Sequence, residues 1–129
     1  MRPFSLTFTV PDGMWLTSNG RYHWADRARR TRRLRTLGHW EGKRSRVPTL
    51  GRARITAHIT FRTGGRADPA NAYPTIKALI DGLVDAGLLP DDDASRLEGP
   101  DMRREPGKPP PRTRVVRLYV KPLAGETDG

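Results

Sequence analysis

Phe4, Leu6, Phe8 and Val10 alternate with Ser5, Thr7 and Thr9, a two-residue period that predicts a strand with one face on a core. Pro11, Asp12 and Gly13 close it with turn-forming residues. A second alternation sets Ala53, Ile55, Ala57, Ile59 and Phe61 against Arg52, Arg54, Thr56, His58 and Thr60, and it is the clearest strand pattern in the chain. Residues 96–104 predict a short irregular strand, interrupted by Gly99 and Pro100. Val115, Val116, Leu118, Tyr119 and Val120 predict a last strand, expected to be buried on much of both faces.

Two stretches carry the helical period instead. Ile76, Leu79, Ile80, Leu83 and Val84 fall at i, i+3, i+4, i+7 and i+8, with Pro74 suited to a first turn and Gly87 to a C-terminal cap. From Trp24 to Leu37, Trp24, Ala28, Thr31 and Leu34 recur at helical spacing while Arg27, Arg29, Arg30, Arg32 and Arg33 cover the rest of the circumference. His39 to Thr49 has no clear period and predicts a basic loop, as does the proline-rich run Glu105 to Arg112. The elements predict an α/β (α+β mixed) fold with a mixed sheet of about four strands and two main helices. They form a single domain over 1–129, in which 122–129 is a flexible tail.

Charge adds a partner to this picture. Lys and Arg number 24 against 14 Asp and Glu, a net charge of +10 over 129 residues, which favours a polyanion such as nucleic acid. The excess is almost wholly arginine, which binds phosphate through a planar fork but also accumulates under GC-rich codon usage. The absence of cysteine excludes disulfides, Cys-ligated zinc and thiol nucleophiles and suits a reducing cytoplasm. Met1 to Val10 has no apolar run of signal-peptide or membrane-span length, so a cytoplasmic protein with no membrane partner is expected.

Against this basic background the acids stand out. Asp68 precedes the apolar helix, and Asp91, Asp92 and Asp93 follow it. Carboxylates weaken a field that attracts DNA unless a cation offsets them, and Mg²⁺ is held by one or two carboxylates together with substrate phosphate. Asp68, Asp91 and Asp92 are therefore candidate metal ligands, with Mn²⁺ a substitute ion. The alternative is that Asp68 caps a turn and that the aspartate run is a solvated turn. Lys77, Asp81 and Asp85, spaced by four, read most simply as a charge ladder on the helix surface. His23, His39 and His58 have no ligand spacing to one another.

The run Arg66-Ala67-Asp68-Pro69-Ala70-Asn71-Ala72-Tyr73-Pro74-Thr75, then Ala78-Leu79, Asp81-Gly82-Leu83 and Asp91-Asp92, resembles the signature of the RusA family of Holliday-junction resolvases. That signature is an Asp-x-Asp-Asn loop, a lysine, an amphipathic helix and an Asp-Asp pair. Ser18-Asn19-Gly20-Arg21-Tyr22 is similar to the stretch that follows the family's first strand, and the likeness spans Phe4 to Val120. The resemblance implies a homodimer, of phage or prophage type in a bacterial cell, that binds four-way DNA junctions and nicks two strands symmetrically with Mg²⁺. By this likeness Asp68 and Asp92, with Asp91 beside it, are catalytic metal ligands, and Asn71 shapes the loop that faces DNA.

The chain departs from the pattern twice. Ala70 stands where the second loop aspartate is expected, and Tyr73 or Pro74 where the lysine is expected, leaving Lys77 as the nearest substitute. A variant that regains the lost ligand from Asp91 to Asp93, a junction binder with impaired catalysis, and a deliberate alanine substitution all fit the sequence.

Arg27, Arg30, Arg33, Arg44 and Arg46, with Arg66 and with Arg103 and Arg104, are the candidate phosphate contacts, and such contacts position a duplex without reading its bases. Trp24 is expected in the core and Trp15 at the dimer seam. Trp40, beside the basic loop, is expected either to pack or to stack on an unpaired base. An RNA-binding role explains the charge but leaves the aspartates without a purpose.

Overall fold

The computed structural model describes residues 2–62, 68–91, 93 and 95–124. Strand β1 spans Phe4–Pro11 and leads through a 3-10 turn at Asp12–Met14 to helix α1, Trp24–Arg44; strand β2 is Arg52–Thr60. A second 3-10 turn, Pro69–Ala72, precedes helix α2, Tyr73–Asp85, after which come strands β3, Leu97–Arg104, and β4, Thr113–Leu123. The four strands form one mixed sheet in the order β1-β4-β2-β3. β4 is antiparallel to both β1 and β2, whereas β3 runs parallel to β2, so α2 is the crossover joining two parallel neighbours.

The alternations place one side of the sheet in the core: Leu6, Phe8 and Val10 from β1, Ala53, Ile55, Ala57 and Ile59 from β2, and Val116, Leu118 and Val120 from β4 are all buried. β4 alternates like the others, with Tyr119 40% exposed on the opposite side, so it is buried on one face and not on both as its apolar run suggested. It also reaches further than expected, because Pro122 and Leu123 pair with Ala53 and Arg52 and are strand, not tail. β3 carries the expected irregularity. The register jumps between Arg54 opposite Glu98 and Thr56 opposite Asp101, leaving Gly99 at φ +98° where a side chain would overlap the Ile55 carbonyl.

α2 lies against this face and buries Thr75, Ile76, Ala78, Leu79, Ile80, Gly82 and Leu83. Its C-terminus closes as a Schellman turn: Leu88 N–H donates to the Leu83 carbonyl at 3.0 Å and Gly87 N–H to the Val84 carbonyl at 2.9 Å, with Gly87 at φ +105°. α1 packs on α2 along a narrower line. It continues to Arg44, so His39 to Arg44 is helix and not loop, and its buried residues are Leu34, Gly38 and Gly42.

The two glycines look like helix breakers in sequence, but here they remove side chains from a helix crossing. A methyl group on Gly38 would overlap the Leu79 carbonyl, one on Gly82 the Arg35 carbonyl, and one on Gly42 the Ala86 side chain. Arg35 fastens the same contact with a two-pronged ion pair to Asp85, at 2.6 and 2.8 Å, which holds the Asp85 carboxyl below the usual carboxylate range.

Trp24 and Trp15 both depart from their expected places. Trp24, at the first position of α1, is 77% exposed because the helix turns that side away from α2, while Trp15 is 4% exposed inside the core and not at a seam. Its indole meets the edge of Phe61 and carries the Arg114 guanidinium on its face. Among the described residues no helix is long and apolar enough to cross a membrane.

Candidate functional site

The segments that carry the family resemblance are joined at the head of α2. Thr75, wholly buried, accepts from Leu16 N–H and donates its hydroxyl to the Leu16 carbonyl, both at 2.8 Å. One turn earlier Ser18 N–H donates to the Asn71 carbonyl at 2.8 Å. The loop after β1 is thus clasped to the loop before α2 by three hydrogen bonds. Thr17 N–H donates to the Tyr22 hydroxyl at 3.2 Å, and a side chain at Gly20 would collide with the Tyr22 ring. Thr75 was not among the candidate residues; its signal was a hydroxyl beside Ile76 on the apolar side of an amphipathic helix.

Asp68 is exposed and caps the 3-10 turn, its Oδ1 accepting from Ala70 N–H at 3.0 Å, while Asn71 N–H donates to the Asp68 carbonyl at 3.0 Å. Oδ2 makes no hydrogen bond among the described residues. The backbone of Ala70 therefore sets the orientation of Asp68, although its methyl group offers no ligand. Asn71 acts here through its backbone.

Past the other end of α2, Asp91 Oδ1 accepts from Asp93 N–H at 2.9 Å and lies 3.5 Å from Arg96 Nε, and Asp93 Oδ1 accepts from Ser95 N–H at 2.7 Å. Each carboxylate thus fixes its own turn with one oxygen. Lys77 Nζ meets Asp81 Oδ1 at 2.6 Å, the ladder expected from the spacing, and Asp85 has left the ladder for Arg35. Asp92 and Arg66 lie outside the described residues. Among the described residues no group of three or more His, Cys, Asp or Glu side chains is placed to hold a metal ion. The donors that Asp68 and Asp91 do offer are hard carboxylate oxygens, which fit Mg²⁺ or Mn²⁺ and not a soft metal.

The candidate phosphate contacts among the described residues fall into four groups. Arg27 and Arg30 lie over the Tyr22 ring at 5.3 and 5.1 Å, and Arg30 is further engaged by Asp26 and by the Trp15 and Asp12 carbonyls. Its donors serve to hold α1 against the turn after β1. Arg44 pairs with Glu41, whose carboxyl its hydrogen bonds hold below the usual range, and Arg46 follows α1 at φ 53°. Arg103 and Arg104 are exposed on β3, Arg104 over the Phe61 ring at 5.2 Å. Arg33 lies with Arg29 and Arg32 on the outer side of α1, along a groove that also receives Trp40. No protein-family model matches the chain, and neither does any curated protein.

Proposed function

We propose that the chain is a Mg²⁺-dependent endodeoxyribonuclease that resolves four-way DNA junctions by paired, symmetric nicks, the activity its resemblance to the RusA family implies. The observation that carries this reading is the clasp at the head of α2: two segments matched to the family at separate places in the sequence meet there, beside the exposed carboxylate of Asp68. Asp68 at the head of α2, or Asp91 with Asp92 past its other end, would hold the ion; a helix of 13 residues, about 20 Å long, keeps Asp68 and Asp91 of one chain from sharing it. The ion when bound would polarise the scissile phosphate and favour a hydroxide nucleophile. The protein's own part is to fix the Asp68 rotamer through Ala70 N–H and to draw the DNA backbone in through its arginines. A two-fold junction that needs two nicks is matched by a C2 dimer with two such sites.

Ala70 favours a second reading, a junction-binding protein that does not cut, since it removes one oxygen ligand from the loop. Incubation with a labelled synthetic four-way junction and a matched linear duplex, in Mg²⁺ and in EDTA, separates the two. Symmetric nicks confined to the junction and to Mg²⁺ support resolution; tight junction binding without nicks in Mg²⁺ or Mn²⁺ supports the second reading and makes Ala70→Asp the next variant. Asp68→Asn retains the cap, because asparagine is an equivalent N-cap residue, and it removes the charge. Nicking should be lost with the melting temperature unchanged, and junction affinity should hold or rise. Undiminished nicking would remove Asp68 from the site.

A further inference from the structure

The outer side of α1 carries a groove of about 590 Å³ whose apolar part is Met14, Leu37 and Trp40 and whose rim is Arg29, Arg32 and Arg33. Trp40 is 64% exposed and also borders a second depression, of about 390 Å³, beside His39 and Arg35. We propose that this groove binds an unpaired nucleotide of a single-stranded nucleic acid, with its base stacked on Trp40 and the flanking phosphates on Arg32 and Arg33.

Three observations converge on that occupant. An indole this exposed adds little to the core of its own chain, and aromatic faces of this kind are platforms for bases. Two of the three guanidiniums on its rim are uncompensated: Arg29, Arg35 and Arg44 on the same helix pair with Asp26, Asp85 and Glu41, whereas Arg32 and Arg33 form no ion pair or hydrogen bond among the described residues. No carboxylate is among the described residues that line the larger groove. The volume suits a nucleotide-sized group. Within a duplex a paired base hides both faces in the stack, so away from the duplex ends it is an unpaired base that can lie on the indole. A second copy of the chain, docking by two-fold symmetry, would set the same arginines against each other.

This site goes beyond the nuclease reading, since it needs neither metal nor cleavage. The test uses the full chain in EDTA with Trp24→Phe as background, so that tryptophan emission comes from buried Trp15 and from Trp40. A short thymidine oligomer, the matching uridine oligomer and a duplex of equal charge are titrated separately. The single strands should quench the emission, and the tighter of the two oligomers identifies the strand. Trp40→Ala should weaken single-strand binding about tenfold with duplex binding and melting temperature unchanged, and Trp40→Phe should restore most of it. Arg32→Ala together with Arg33→Ala should reduce the slope of log affinity against log salt by about 1.4, two single-strand phosphates. Equal single-strand affinity with and without Trp40, or quenching that tracks protein concentration without nucleic acid, would overturn the proposal. Because no nicking is read, failure here leaves junction cleavage standing, and an enzyme that does not cut leaves this result standing.

Discussion

α2 turns seven of its thirteen residues to the interior, whereas α1, with 21 residues, buries only Leu34, Gly38 and Gly42. The first is held by large apolar side chains, at about 1.5–3 kcal/mol for each one fully buried. The second is held by the close approach of backbones at Gly38 and Gly82, by Leu34 and by the Arg35–Asp85 pair. A helix anchored along one row of small residues keeps nearly its whole circumference for solvent. That is why α1 can carry so many arginines without burying any charge, while α2 keeps its two acids, Asp81 and Asp85, paired with Lys77 and Arg35 on its narrow polar side.

The comparison breaks most readily at the crossing. Gly82→Ala pushes a methyl group into the Arg35 carbonyl and should cost about 3 kcal/mol by forcing the helices apart, lowering the melting temperature by about 10 °C. A melting temperature equal to wild type would mean that α1 is held in some other way.

At the head of α2 the effect should be smaller. Thr75→Val leaves the Leu16 N–H and carbonyl without their buried partner, at about 2 kcal/mol in chemical denaturation, and Thr75→Ser should recover most of it. If Ser and Val behave alike, the clasp is packing and not hydrogen bonding.

The Arg35–Asp85 pair should matter least. Its folded carboxyl pKa is depressed, so its contribution is present above the ordinary aspartate value of about 4 and is lost as pH falls through the lower folded value. With the Asp85 side chain 38% exposed, solvent screening limits that contribution to about 0.5 kcal/mol. Arg35→Ala should therefore lose about this much at neutral pH, and the gap from wild type should close in acid. A gap that persists in acid would point to lost packing of the arginine stem instead of lost charge.

The same contrast explains what could be read from the sequence. α2 was legible because Ile76, Leu79, Ile80 and Leu83 mark its buried side and Gly87 its end. The second half of α1 was not, because Gly38 and Gly42 signal flexibility locally and only the approach of Gly82, from a distant part of the chain, makes them helical packing residues. Trp24 and Trp15 were misplaced for a related reason: bulk favours burial, but which side of a helix or turn faces inward is decided by partners that periodicity cannot name. Among the candidate residues, the aspartates were legible by type and position. The bonds that join Leu16 to Thr75 span 59 positions and leave no local trace.

β4 lies between β1 and β2 although it follows both in sequence. During synthesis β2, α2 and β3 can assemble as their residues emerge, but β1 has no neighbour in the sheet until residues 113–123 have been made. The nascent chain must therefore carry its first strand unpaired through nearly all of translation. A premature stop before Thr113 would leave Leu6, Phe8 and Val10 exposed for chaperones or proteases to recognise.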